Sequence, residues 1–158
     1  MFIKFCFKFI LILFYFCSYS QDNNLNELRK SYLIAGNGKK NVEQLLLLSN
    51  TDNTPIFKAY KAAANMMMIE YTNNVYEKYK IFTINSNILD ELIINNSNNL
   101  EIKLLRYCIH YKSPKFIQNK IKMKSDLDFI MENIDKQDVI FTKYINQILV
   151  DINYKIQN

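Results

Sequence analysis

From Asp22 to Ile152 apolar side chains return every three or four residues, and little interrupts the pattern: the 158-residue chain has two glycines and two prolines. That spacing is the pitch of an α-helix, where such residues share a face. Leu25, Leu28, Tyr32 and Ala35 predict a helix from Asp22 to Ala35, with Gly36 as its stop. Val42, Leu45, Leu46 and Leu48 predict a second from Lys39 to Leu48, after a turn at Asn37-Gly38. Thr54-Pro55 reads as a helix start, because threonine can cap and proline lacks only an N–H that would have no partner there. A stripe of Ile56, Tyr60, Ala63, Ala64, Met67, Met68 and Tyr71 follows.

Further along, Val75 to Ile94 predicts a long helix with Tyr79, Phe82, Leu89, Leu92 and Ile93 on its apolar side. Asn85 to Asn87 is a weak point where a kink or frayed turn is expected. Asn95 to Asn99 reads as a polar turn. Leu100 to Tyr111 predicts the next helix, with Leu100, Leu104, Tyr107, Cys108 and Tyr111 on one face, and Ser113-Pro114 ends it. Lys115 to Lys124 is ambiguous. Ser125 with Asp128 resembles a capping box and predicts a helix carrying Leu127, Ile130, Met131 and Ile134. Asp135 to Ile152 predicts the last helix, with a strand over Val139 to Thr142 as the less favoured reading. The expected fold is an all-α, antiparallel array of about seven helices in a single domain over residues 21–158.

Two resemblances add to this. The run Ile93-Ile94-Asn95-Asn96-Ser97-Asn98-Asn99-Leu100-Glu101-Ile102 resembles the junction between tetratricopeptide-type repeats, which implies helical hairpins of that style around residues 89–105. Ser97 stands where that family prefers proline, and its first-helix signature is missing from Pro55 to Thr72. The order Pro55, Tyr60-Lys61-Ala62-Ala63, then Asn99-Leu100-Glu101-Ile102, then Ser113-Pro114-Lys115-Phe116 resembles a group of small exported helical proteins of Bacteroidetes. It implies architecture and export, and no functional residue.

Residues 1–20 read as an address. Lys4 and Lys8 precede a wholly apolar or aromatic run from Phe9 to Cys17, and Ser18 and Ser20 put small residues before Gln21. That is the order of a cleaved signal peptide, too short to span a bilayer, which takes about 20 residues. The Ser-Tyr-Ser-Gln ending resembles Bacteroidetes export signals. A retained anchor is the alternative, and a lipoprotein at Cys17 is disfavoured by bulky Phe16. Cleavage near Ser20–Gln21 predicts a periplasmic or secreted protein with Cys108 as its single cysteine, hence no internal disulfide. Stability must then come from an apolar core.

Catalytic sets are not evident. His110 is the only histidine. Helical spacing puts it on one face with Lys103 and Arg106, so an exposed, non-catalytic histidine is expected. One histidine and one cysteine cannot close a zinc site. Cys108 lies on the apolar stripe and reads as a buried small hydrophobe. Met66-Met67-Met68 spread over about 200° of a helix and cannot converge on a copper ion, so they read as core filler. Asp90-Glu91 and Asp126/Asp128 point to different faces, and Gly36-Asn37-Gly38 reads as a turn. The expectation is a non-enzyme without metal or cofactor.

One charge feature stands out. Lys103, Arg106, Lys112, Lys115, Lys120, Lys122 and Lys124 lie between Glu101 and Asp126 with no acid among them, interleaved with Tyr107, Tyr111 and Phe116. Such a block could bind an anionic lipid head-group or polysaccharide, or it could be a solvated lysine-rich surface. Export argues against nucleic acid, and lysine in place of arginine argues against bidentate phosphate recognition. The leading expectation is an interaction module binding another envelope protein. The alternative is an anion-binding envelope factor using the basic segment, with a hydrolase below both.

Overall fold

The structure, a computed structural model, describes residues 23–152, so the signal peptide expected over residues 1–20 falls outside the described residues. The described residues form seven α-helices and no strand. They are α1 (residues 23–35), α2 (Lys39–Ser49), α3 (Pro55–Met67), α4 (Val75–Asn95), α5 (Leu100–Lys112), α6 (Lys120–Asn133) and α7 (Val139–Asp151). Short 3₁₀ turns follow α3 (Met68–Tyr71) and α6 (Ile134–Lys136). Packing runs α2 on α3, α3 on α4, then α4 and α6 on α5, with α3 also against α5. No described helix is long and apolar enough to cross a membrane.

Polar links start the helices. Asn74, Asn99, Asn119 and Asp138 each accept backbone N–H bonds from the first turn of α4, α5, α6 and α7. A cap of this kind supplies about 1 kcal/mol by satisfying N–H groups that lack a partner within the helix. Two expected boundaries move accordingly. Helix α6 begins at Lys120, capped by Asn119, and Ser125 with Asp128 lies inside it. Helix α7 begins at Val139, because Asp138 caps it and the 3₁₀ turn at Ile134–Lys136 precedes it.

Other local expectations also change. Thr54 sits at the start of α3, but its side chain makes no cap bond, and its hydroxyl is buried without a partner among the described residues. Gly38, not Gly36, holds the conformation that needs glycine, at φ 150° and ψ 166° before α2. Helix α4 runs unbroken through Asn85–Asn87. Asn85 is buried there, donating to the Ile81 carbonyl and accepting from Asn65. Tyr79 and Tyr71, expected on apolar stripes, are exposed, while Phe57 and Met66 are buried.

Helix α5 is the axis of the molecule. From Leu100 to His110 every side chain is buried except that of Lys103, which is half-buried. Leu104, Leu105 and Ile102 join Tyr60 and the alanines of α3, Leu28 of α1, Ile130 of α6 and Ile145 of α7 in one core. A helix enclosed on all sides has no wet face, so its polar residues need partners inside the fold.

Candidate interaction surface and its buried supports

The basic segment splits into inward and outward cations. Arg106 is buried, not exposed: its Nε donates to Asp126 Oδ2 at 2.8 Å and its Nη2 to Oδ1 at 2.7 Å. Its Nη1 donates to Asp90 Oδ1 at 2.7 Å, and Lys122 Nζ meets the other Asp90 oxygen. Asp90 of α4 and Asp126 of α6 thus clasp α5 from two sides. Burial works against the charge on Arg106, but its bonds to Asp126 and Asp90 outweigh that and raise its pKa. Burial likewise opposes ionisation of Asp90, and the bonds from Lys122 and Arg106 win and lower its pKa.

His110 belongs beside this cluster. It is 4% exposed, its ring lies edge-on to Phe82 at 5.9 Å, and its Nδ1 accepts a long 3.5 Å bond from the Asn119 N–H. The exposed histidine expected from the sequence is therefore corrected to a buried one. Burial lowers its pKa first, and Lys122 and Arg106 lower it further against Asp90 and Asp126.

A second buried cluster ties the odd-numbered helices together. Arg29 of α1 donates through Nε and Nη2 to the two oxygens of Glu101 at 2.8 and 2.7 Å. Tyr60 of α3 donates to Glu101 at 2.5 Å, and its hydroxyl lies 2.6 Å from that of Tyr144 on α7. The Arg29 guanidinium also lies 4.4 Å from the centre of the Phe141 ring. Both arginines of the chain are therefore held as forks on carboxylates, geometry a lysine cannot reproduce.

The remaining lysines face outward. Lys112, Lys115, Lys120 and Lys124 are exposed. Lys103 is half-buried, with its ammonium 4.1 Å above the Phe129 ring. An open groove of about 670 Å³ between α5 and α6 collects Lys103, Lys120 and Lys124. Its floor is Ile121, Ser125 and Phe129, and its far end carries Asp128 and Glu132. Ile121 is 84% exposed, and Phe116 in the preceding link is 87% exposed. Lys112 and Lys115 lie outside this groove, and Arg106 and Lys122 point to the carboxylates instead.

Cys108 is a free, buried thiol, as its place on the stripe predicts, and burial pushes its pKa up to about 12. Met66 is buried, while Met67 and Met68 are half-buried. No group of three or more His, Cys, Asp or Glu side chains among the described residues could hold a metal ion. No protein-family model, curated protein or solved structure matches the chain. The fold and site geometry accordingly define the protein as an all-α helical array with a mixed-charge groove.

Proposed function

We propose that the chain is an exported, non-catalytic helical interaction module that binds a protein partner in the cell envelope, with the α5–α6 groove as its docking surface. The observation that carries this reading is the groove's make-up: an exposed apolar floor between side chains of both signs. A protein segment offers apolar and charged groups together and can match such a surface. A polyanion would meet Asp128 and Glu132 as well as the lysines. Two of the seven cations in the basic segment, Arg106 and Lys122, are also already paired with Asp126 and Asp90.

A photo-crosslinking residue at Ile121, compared with one at exposed Leu47 on α2, tests the reading in the native cell. Protein adducts at Ile121 and not at Leu47 support it; adducts equal at both sites, or none at Ile121, refute it. N-terminal sequencing of the exported protein tests cleavage, with Gln21 as the expected first residue. The second reading, a surface for anionic lipid or polysaccharide, is favoured by exposed Lys112 and Lys115 beside exposed Phe116. It predicts salt-sensitive co-flotation with phosphatidylglycerol vesicles but not with neutral ones.

A further inference from the structure

The charges along α6 are ordered. Lys120, Lys124, Asp128 and Glu132 stand four residues apart, so they form one slowly winding ridge, about 18 Å long at 1.5 Å per residue. All four are exposed. Two positive charges occupy the N-terminal half of the ridge and two negative charges the C-terminal half. Beside it runs a parallel row of Ile121, Ser125 and Phe129, which is the floor of the groove.

Nothing among the described residues accounts for that order. The positive end of a helix dipole lies at the N-terminus, where acids stabilise and lysines do not. Helix α6 has no acid in its first turn and no base in its last. Lysine four residues before an acid is also the weaker orientation for an ion pair within a helix. Among the described residues none of the four ridge side chains takes part in a salt bridge. The ridge does, however, match itself once turned end for end.

Resting on the reading of the groove as a protein-docking surface, we infer that its occupant is a second copy of this chain, paired antiparallel along α6 about a two-fold axis. In that pairing Lys120 of one copy faces Glu132 of the other, and Lys124 faces Asp128, each contact occurring twice. This is the self-complementarity that a two-fold interface requires. The apolar row is centred on Ser125, one residue or about 1.5 Å along the helix from the centre of the ridge. Ile121 comes close to Phe129 of the other copy, and the small Ser125 side chains lie near the axis, where bulk would hold the helices apart. The partner's C-terminal half also brings its acids to the lysine-rich first turn of α6, reversing the unfavourable dipole arrangement. One helix pair with adjoining side chains is an interface at the small end of the range, so a dimer of roughly micromolar affinity is expected.

Charge exchange on the full chain tests this by sedimentation equilibrium over a concentration series, with circular dichroism to confirm that each variant is folded. The double variants K120E/K124E and D128K/E132K carry ridges of one sign and should dimerise on the order of a hundredfold more weakly than the wild type. Mixing the two should restore a dimer, because an all-negative ridge then meets an all-positive one. The quadruple variant K120E/K124E/D128K/E132K should dimerise by itself, with the order of charges reversed. A monomeric wild type, double variants that dimerise like it, or a mixture that stays monomeric would each overturn the inference. A monomeric wild type that still crosslinks another protein at Ile121 would overturn the self-pairing alone and leave the docking surface standing.

Discussion

Replacing Arg106 with methionine isolates the contribution of the central clasp. The Asp126 side chain is 0% exposed, and both of its oxygens are held by Arg106, whose own side chain is 10% exposed. Removing the guanidinium leaves a carboxylate in the core with no counter-charge, a loss of about 3–5 kcal/mol where buried pairs have been broken in this way. Against a domain stability of about 5–15 kcal/mol, that is about a fifth of the total or more. With a urea dependence of about 2 kcal/mol per molar, the unfolding midpoint should fall by about 2 M. R106K should fall between wild type and R106M, because an ammonium keeps the charge but cannot span both oxygens of Asp126 and reach Asp90 as well. The double variant R106M/D126L should recover most of the loss, since no buried charge is then orphaned and Asp90 keeps Lys122. Urea unfolding followed by far-ultraviolet circular dichroism measures all of these. R106M within about 1 kcal/mol of the wild type, or a double variant no better than R106M, would refute the claim that the clasp is an obligate buried pair.

Other outcomes follow from the same structure. His110 titrates at its ordinary 6.5 in the unfolded chain and lower in the fold. The unfolded state therefore takes up the proton first, and stability falls as pH drops through about 6.5 towards the folded value. The urea midpoint should be lower at about pH 5.5 than at about pH 7.5, and H110Q should remove the part of that difference due to this group. Cys108, with its pKa pushed up to about 12, should resist iodoacetamide in the folded protein and react once urea unfolds it. Mass spectrometry of the peptide that contains it reads this directly. G38A should cost about 1–3 kcal/mol through backbone strain alone, because a Cβ at Gly38 would have nothing within 4 Å. G36A should be neutral or stabilising by up to about 1 kcal/mol; equal thermal midpoints for the two variants would contradict the assignment of the strained position to Gly38. Y60F removes a donor to buried Glu101 and should cost about 1–3 kcal/mol in chemical denaturation.

The helices were legible wherever one face of a segment was apolar and the other wet. Leu28, Val42, Leu45, Leu89, Leu104 and Ile130 all occupy the core that their spacing predicts. The same reasoning failed on α5 because it assumes a wet face, and from Leu100 to His110 only Lys103 of this helix reaches solvent. Arg106 and His110 fall on one side of α5 with Lys103, a side that looks solvated in projection, yet α4 and α6 cover the two of them. The start of α6 was hidden for a different reason. Its first turn, Lys120-Ile121-Lys122-Met123-Lys124, alternates as a strand would, and only the Asn119 cap and the burial of Asp126 fix it as helix. The capping role of Asn119 could not be told from its neighbours, because asparagine is abundant throughout the chain and a cap is defined by the backbone it bonds.

One signal for the buried clusters was available in the sequence all along. The chain uses lysine for nearly all of its positive charge and places arginine only at positions 29 and 106. Where composition favours lysine on every tolerant surface, an arginine marks a site that a compact ammonium does not serve. The two arginines stand on Glu101 and Asp126, each as a planar fork with both carboxylate oxygens engaged. Each pair joins two different helices, α1 to α5 and α5 to α6, where burial makes geometry decisive. The lysines carry the opposite meaning. Lys103, Lys120 and Lys124 line the open groove, where a flexible ammonium can meet an incoming carboxylate. The basic segment is thus two things in one stretch of chain: Arg106 and Lys122, paired with carboxylates that fasten the core helix, and surface lysines that this fastening holds in place.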